Sequence, residues 1–380
     1  MSRSRTGRQP VIAGISALPF AKNIGISERQ AGGRAILAAL EDAGLSPGDV
    51  DGLVRYSWET TTEIEMSRLL GIGPLKMFGS VDYGGGAGPP TVALAAMAIE
   101  LGIADVMVVW RARNRGSGTR PWMKELAGLG QNQFHWPHGL IRPVDGIAMQ
   151  TRYMIDRYGW PPELLGSVAI NNRDHAARNP SALMRTRITM EDYLASRWIS
   201  EPLRLFDCCL ETDGALAIVM VAAERAPDLP QDPVYVTGFG LGSMPQQYAM
   251  TSYYGPKLEA SSARYVAQEV WKNTALKPSD MDVIQFYDAF TPEIPMQFEE
   301  YGFCGEGEAA DYLLSGAHVP YNTSGGGLSE AYVHGFNLIV EGVRQVRGES
   351  SSQVPEVSHC LVTGGNVVPT GAIVFSSEPS

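Results

Sequence analysis

Apolar and polar positions follow the same pattern twice along this chain of 380 residues. One copy, GGRAILAALEDAGLSPGDVDGLVRYSW, begins at Gly32, and the other, ARYVAQEVWKNTALKPSDMDVIQFYDA, begins at Ala263. In both, apolar residues at helical spacing lead to a turn that contains proline and aspartate, and a short apolar run follows. Each copy therefore predicts a helix, a turn and a strand.

Further matched elements surround the two copies. A β-branched run that ends in glycine precedes each one, at Pro10 and at Pro233. After each copy, a glycine cluster (84–86 and 325–327) leads to a second helical pattern and then to an apolar strand. Strands that alternate with helices are typical of sheets covered on both faces. The sequence therefore predicts an α/β fold built from two duplicated β-α-β-α-β halves.

The two predicted halves span residues 1–230 and 231–380. Such a division suits a chain longer than the roughly 250–300 residues of a typical single core. Within the first half, residues from about 114 to 207 break the pattern and are rich in Trp, Pro, Asn, His and Arg. We interpret this stretch as an inserted loop region that forms a lid or substrate loop at a crevice between the halves.

Composition limits the partners and the location of the protein. The formal net charge is −11 and no run of basic residues occurs, so we predict no nucleic-acid partner. No apolar run reaches about 18 residues, so we predict no membrane span. The apolar stretch VIAGISALPFA follows three early arginines, as in a secretory signal, but it has a counterpart at Pro233. We therefore interpret it as a first strand and predict a cytoplasmic protein.

Cysteine and histidine spacing does not favour a metal site. The four cysteines include an adjacent pair and no CxxC motif, which is typical of neither a disulfide framework nor a zinc site. His135 and His138 lie near Asp145 in the inserted region, but Pro137 opposes the helical geometry that such a site needs. We predict no bound metal.

Five segments resemble the thiolase superfamily over nearly the whole chain. They are the start IAGISALPFAK, the segment LETDGA that ends at Ala215, FYDAF at Phe286, NTSGGGLSEAYVHG at Asn322 and TGGNVVPTG at Thr363. The first of these is similar to the sterol-carrier-protein type of thiolase. This resemblance implies the thiolase fold, in which two duplicated halves form a five-layer α-β-α-β-α arrangement.

The residues that a thiolase uses for catalysis are replaced here. The position that matches the nucleophilic cysteine is Gly85, and no cysteine occurs before Cys208. The second thiolase cysteine is also missing, because Cys360 lies two places too early. Tyr332 stands at the histidine of the family's GHP motif, and Tyr287 stands at the Asn or His of a second motif. Without a nucleophile the chain cannot form the acyl-enzyme of a thiolase.

The pattern of losses and gains is similar to that of the steroid-degradation aldolases of the superfamily. This resemblance implies retro-aldol cleavage of a β-hydroxyacyl-CoA, specifically a steroid side-chain thioester of the 17-hydroxy-pregnene-carboxyl-CoA type, giving a ring ketone and propionyl-CoA. Tyr287 and Tyr332 would transfer the protons, and their order stays open. No cofactor is implied, because CoA is part of the substrate. The alternatives are a non-catalytic acyl-CoA or lipid carrier and another acyl-CoA enzyme, such as an acyltransferase.

Other residues take their expected roles from the same match. Backbone amides of Gly85 and Gly364 are the candidate oxyanion donors for the thioester enolate. Asp288 and His334 are candidates for substrate binding or for orienting the phenols, with a turn cap and a packed core histidine as the structural alternatives. Contact with the CoA phosphates, or a solvated role, is expected of four arginines in the insertion: Arg173, Arg178, Arg185 and Arg187.

The resemblance also implies partners. Thiolase-fold proteins form homodimers through strands of the first half. The related aldolases depend on a small OB-fold partner with a zinc ribbon, which this chain does not encode, so a separate partner chain and a heterotetramer are expected.

Overall fold

The computed structural model describes residues 8–118, 132–247 and 261–379. Its strands are β1 (Pro10–Ala17), β2 (Gly52–Tyr56), β3 (Met77–Val81), β4 (Val106–Asn114), β5 (Trp198–Ser200), β6 (Leu203–Arg204), β7 (Asp213–Ala222), β8 (Val234–Gly242), β9 (Val283–Gln285), β10 (His359–Thr363) and β11 (Thr370–Ser376). Its helices are α1 (Glu28–Asp42), α2 (Glu63–Leu70), α3 (Gly88–Glu100), α4 (Asn132–His135), α5 (Pro143–Tyr158), α6 (Pro162–Arg178), α7 (Met190–Ala195), α8 (Ser262–Asn273), α9 (Glu293–Glu300), α10 (Ala309–Leu314) and α11 (Phe336–Arg347).

Nine strands form one mixed sheet in the order β3-β2-β4-β7-β1-β8-β11-β10-β9. Five belong to the first half and four to the second. The halves join where β1 and β8 pair through only two residue pairs, Val11 with Tyr235 and Ile12 with Val234. Strands β5 and β6 form a separate two-stranded sheet.

Two helices lie between the halves. Both α3 and α11 contact strands of the first half and strands of the second, whereas α1 packs on β1, β4 and β7 and α8 packs on β8 and β11. The buried residues of α3 are mostly alanine and β-branched, so this helix can be covered on all sides. The resulting order of layers is α-β-α-β-α, which confirms the predicted duplicated α/β fold.

The internal repeat extends to single hydrogen bonds. The Asp51 carboxylate accepts hydrogen bonds from two backbone N–H groups at the start of β4, at 2.8–3.1 Å. The Asp282 carboxylate does the same at the start of β10, at 2.8 Å. Two residues before each of these, Asp49 and Asp280 close the proline turns. Their carboxylates accept hydrogen bonds from the backbone N–H groups of Ser46 and Lys277. The aspartates recur because each copy needs the same backbone groups satisfied.

The inserted region differs from the prediction of a loop. Its described part from residue 132 contains four helices and the β5–β6 sheet, and α5 and α6 each bury an apolar face. A prediction of loop from its Pro, Asn and Arg content was wrong here because tertiary packing overrides weak local propensity. Residues 119–131 lie outside the described residues. The half boundaries at 230 and 231 stay a prediction.

Within the described ranges, no helix combines the length and the apolar character needed to cross a membrane.

Candidate active site

The structure brings the two predicted tyrosines together. Tyr287 and Tyr332 are 45 residues apart in the chain, and their hydroxyl groups form a hydrogen bond of 2.6 Å. The rings lie at an angle of 64°, with centroids 6.2 Å apart. Tyr287 is 5% exposed, whereas Tyr332 is half-buried. Tyr332 is therefore the more exposed of the two side chains.

Hydrogen bonds to the second half hold the backbone at Tyr287. Its N–H donates to Thr363 Oγ1 at 3.0 Å, and its carbonyl accepts from Gln297 Nε2 at 2.7 Å. The Thr363 hydroxyl donates to Gln297 Oε1, which closes a triangle of contacts between the tyrosine loop, β10 and α9. The phenol therefore starts from a rigid backbone.

Gly85 makes room for the Tyr287 phenol. A Cβ atom on Gly85 would overlap the Tyr287 hydroxyl, so any larger residue collides with it. The sequence match placed the nucleophile of a thiolase at Gly85, and the structure places the Tyr287 hydroxyl in that space. Gly85 also lies in the turn 84–86 that precedes α3.

The amide of Gly364 has a different use. Its N–H donates to the carbonyl of Gly371 at 2.9 Å, as part of the pairing that continues between β10 and β11. In this structure it is therefore not a free oxyanion donor, contrary to the expectation. A Cβ atom on Gly364 would also overlap the Thr370 hydroxyl, so close packing accounts for a glycine at this position.

Asp288 supports a loop. Its carboxylate accepts hydrogen bonds from the N–H groups of Gly327 (2.7 Å) and Leu328 (3.3 Å) and from the side-chain amide of Asn172. Burial raises the pKa of Asp288 to about 8, while these donors act in the opposite direction. The observed contacts are those of the capping alternative, and they fix the glycine turn that leads to Tyr332.

His334 lies between two arginines. Its Nδ1 is 2.6 Å from Arg111 Nη2, and its Nε2 is 3.3 Å from Arg115 Nη1. Burial and the neighbouring positive charges lower the pKa of His334 well below its usual value, so the ring is neutral. Its carbonyl accepts a hydrogen bond from the Tyr56 hydroxyl at 3.2 Å. Its ring stands edge-on to the ring of Tyr332, with centroids 5.3 Å apart.

The buried arginines around His334 were not predicted from the sequence. Arg111 is fully buried, forms an ion pair with Glu59, and lies 4.5 Å from the centre of the Tyr56 ring. Arginine at alternate positions near the end of an apolar strand was the available signal, since residues two apart on a strand share one face. Their carboxylate partners come from distant segments, and no local pattern identifies them.

The two phenols differ in electrostatics. Burial raises the pKa of both. For Tyr332, the hydrogen bond from Tyr287 and the charge of Arg115 act in the opposite direction. For Tyr287, the hydrogen bond to Tyr332 and the nearby Glu293 raise the pKa further. The surroundings therefore oppose ionisation of both phenols, but they oppose it less at Tyr332 than at Tyr287.

The candidate residues of the insertion have mostly structural contacts. Asp145 caps α5 and pairs with Arg142 at 2.6 Å. Arg173 is buried and donates to Ser329 and to the carbonyl of Thr186, so it does not face a phosphate. Three other arginines of the predicted set are exposed: Arg178, Arg185 and Arg187. Within the part of the chain that the structure describes, no three His, Cys, Asp or Glu side chains are grouped as metal ligands.

Fold and site together define a protein of the thiolase superfamily in which the Tyr287 hydroxyl lies against Gly85. Residues 247–376 match the family model described as thiolase C-terminal domain-like.

Full-length relatives narrow the family further. The chain is 46% identical to the 17-hydroxy-3-oxo-4-pregnene-20-carboxyl-CoA lyase of Mycobacterium tuberculosis, over 97% of this chain and 99% of that protein. It is 45% identical to the steroid side-chain-cleaving aldolase of Thermomonospora curvata, over 97% of each chain. The structure of the Ltp2-ChsH2(DUF35) aldolase superposes with a TM-score of 0.94 at 45% identity, over 98% of this chain and 99% of that one. The chain belongs to this family of thiolase-like aldolases, and it is a carbon–carbon lyase.

Proposed function

We propose that this protein cleaves the side chain of a steroid CoA thioester by a retro-aldol reaction, releasing a ring ketone and propionyl-CoA. The observation that carries the proposal is the 2.6 Å hydrogen bond between Tyr287 and Tyr332. It forms next to Gly85, the position that the motif match assigns to the thiolase nucleophile. The names of the M. tuberculosis and T. curvata relatives support the substrate class. Apart from the CoA of the substrate, the chemistry needs no cofactor.

Tyr332 acts as the base in this proposal. As a phenolate it accepts the proton of the β-hydroxyl, and the β-carbon becomes the ketone as the bond between the α- and β-carbons breaks. The electron pair of that bond moves into the thioester enolate. Tyr332 suits this role because it is the more exposed phenol and because the hydrogen bond from Tyr287 and the charge of Arg115 lower its pKa against the effect of burial.

Tyr287 completes the cycle as the acid. Its hydroxyl protonates the α-carbon of the enolate and releases propionyl-CoA. A proton then passes from the Tyr332 hydroxyl to the Tyr287 oxygen across the hydrogen bond that joins them, which restores the starting state. No proton has to come from bulk water.

The enolate oxygen needs a donor while the bond breaks. Gly85 lies in the turn before α3, next to the Tyr287 hydroxyl, and its N–H is the backbone donor that we propose for it. A preorganised donor of this kind contributes about 3–4 kcal/mol to the transition state in measured cases.

The test is product analysis with a steroid that carries a β-hydroxyacyl-CoA side chain. The parent protein with its partner chain should release propionyl-CoA and a ring ketone without added CoA. Tyr332→Phe and Tyr287→Phe should each lose at least about 100-fold in turnover, with unchanged thermal stability. Turnover within about threefold of the parent in either variant would contradict the acid–base pair, and tight binding without turnover by the parent would favour a carrier.

The assembly that we propose is a homodimer bound to a separate OB-fold and zinc-ribbon chain, which makes a heterotetramer. Strand β3 lies at one edge of the sheet, and Phe78 on it is 63% exposed. Edge strands and exposed aromatic side chains are rarely left uncovered, so a second copy of β3 is the expected cover. The Ltp2-ChsH2(DUF35) aldolase supports the partner chain. Light scattering of the chain with and without a DUF35 partner tests both parts.

A further inference from the structure

Three arginines alternate at the end of β4, and each has its own carboxylate. The third one, Arg115, follows the strand directly and its side chain is 9% exposed. Its carboxylate partner is part of the surroundings of Tyr332, unlike those of the other two arginines. The three ion pairs are Arg111 with Glu59, Arg113 with Glu28 (3.5 Å) and Arg115 with Glu211 (3.2 Å).

Arg115 contacts residues on two sides of Tyr332. Glu211 forms a parallel β-bridge with Tyr332, and the next residue, Thr212, accepts the Tyr332 N–H at 3.2 Å. On the other side, His334 follows Tyr332 by two residues and packs edge-on against its ring. The Arg115 guanidinium therefore lies beside the half-buried phenol, paired with Glu211 on one side and next to the His334 ring on the other.

The protonation of His334 determines what Arg115 contributes. Arginine can only donate hydrogen bonds, so the Nδ1 atom, 2.6 Å from Arg111, must accept. A neutral ring then carries its proton on Nε2, which faces Arg115. Nε2 therefore cannot accept from Arg115, and His334 adds no negative charge. Glu211 is the residue that balances the Arg115 charge at this position.

We propose that Arg115 is a positioning residue that favours the phenolate of Tyr332, and that Glu211 limits this effect. The inference rests on the proposed function, in which Tyr332 is the base. The direction of the Arg115 charge effect on the Tyr332 pKa agrees with it. The other titratable or charged groups that face Tyr332 are Tyr287, Cys209, Glu293 and His334.

The experiment uses the full chain with its partner and measures kcat/KM from about pH 6 to 10. Arg115→Gln should shift the profile towards higher pH by about one unit, which is about a tenfold loss at neutral pH. Arg115→Lys should recover most of that loss because it keeps the charge. Glu211→Gln should shift the profile in the opposite direction, because it removes the balancing carboxylate.

Arg113→Gln is the matched control, since it removes the neighbouring ion pair on the same strand, and its profile should not move. Ultraviolet titration of the tyrosines gives a second readout. Subtracting the titration curve of the same variant carrying Tyr332→Phe leaves the contribution of Tyr332 and so gives its pKa. The inference would be overturned if Glu211→Gln and Arg115→Gln both lost rate and the Tyr332 pKa did not shift in opposite directions in the two variants. Full turnover by Tyr332→Phe would instead overturn the proposed function.

Discussion

Gly85 and Tyr287 occupy one space, because the hydroxyl of the tyrosine lies where the side chain of residue 85 would begin. A side chain at position 85 and the Tyr287 phenol in its present place therefore exclude each other. This includes a cysteine, the residue that the thiolase motif has at the matching position.

Gly85→Ala should inactivate the protein. The added methyl group must displace the Tyr287 hydroxyl, which breaks its hydrogen bond to Tyr332, and we expect a loss of about 100-fold or more in kcat. Gly48→Ala is the control, because the nearest atom to its Cβ is Ser46 Oγ at 3.7 Å. Turnover assays and melting curves of both variants check this. An active Gly85→Ala protein would show that the phenol pair is dispensable.

Glu59→Gln should destabilise the protein. Arg111 is fully buried, and removing the charge of its partner leaves a cation without its counter-ion, which costs about 3–5 kcal/mol. Glu65→Gln removes a carboxylate from an exposed pair with Arg29 and should cost at most about 1 kcal/mol. Urea unfolding gives both values. Equal effects of the two substitutions would contradict a stabilising role for the buried pair.

Stability should fall between pH 6.5 and 8.5. Burial raises the pKa of Asp207 to about 6, of Glu330 to about 7, and of Asp288, Glu293 and Glu300 to about 8. The native state then holds protons that the unfolded chain has released. This contribution is complete below about pH 4 and is lost as the pH rises towards and through the folded pKa values. For each of the three carboxyls with a pKa of about 8, the loss between about pH 6.5 and 8 is about 2 kcal/mol.

Histidines limit stability on the acid side. Burial lowers the pKa of His175 to about 4 and that of His334 further, so their contribution is present above about pH 6.5 and is lost as the pH falls. Above about pH 6.5 the histidine contribution is constant, so only the carboxyls act there and melting temperatures should decline between about pH 6.5 and 8. Glu300→Gln should flatten this decline. A melting temperature that increases steadily up to pH 8.5 would contradict the assignment of protonated buried carboxyls.

Arg185→Ala should weaken substrate binding more than catalysis. Arg178, Arg185 and Arg187 are exposed near the turn that leads to Tyr332, since the N–H groups of Leu183 and Met184 donate to that turn. If they bind the CoA phosphates, KM should rise about tenfold while kcat stays within about twofold. Arg152→Ala, which removes an exposed arginine paired with Glu201, is the control. An equal KM for both variants would exclude phosphate contact by Arg185.

The sequence predicted the parts that repeat or that match a motif. The duplicated halves were predictable because each copy uses an aspartate to accept hydrogen bonds from the backbone N–H groups at the start of a strand, so the aspartates recur in the sequence. Tyr287 and Tyr332 were identified by their positions in two motifs, and the structure brings them together. The sequence alone could not show that the Gly364 amide is occupied, because its N–H is used only when β10 and β11 pair.

Long-range packing decides the rest. The helices of the insertion pack against the glycine turn and the β5–β6 sheet. Their Pro-rich and Arg-rich composition does not indicate this packing. Arg111 and Arg115 find their carboxylates 52 and 96 residues away. A contact of that separation leaves no periodic signal in the chain.

The internal repeat also explains the position of Tyr56. Alignment of the copies that begin at Gly32 and Ala263 places Tyr56 opposite Tyr287. The first tyrosine is fully buried and donates its hydroxyl to the carbonyl of His334, beside Tyr332; the second reaches the Tyr332 hydroxyl itself. Two tyrosines at matching positions of the repeat thus meet the same segment of chain, one at the backbone carbonyl of His334 and the other at the hydroxyl of Tyr332.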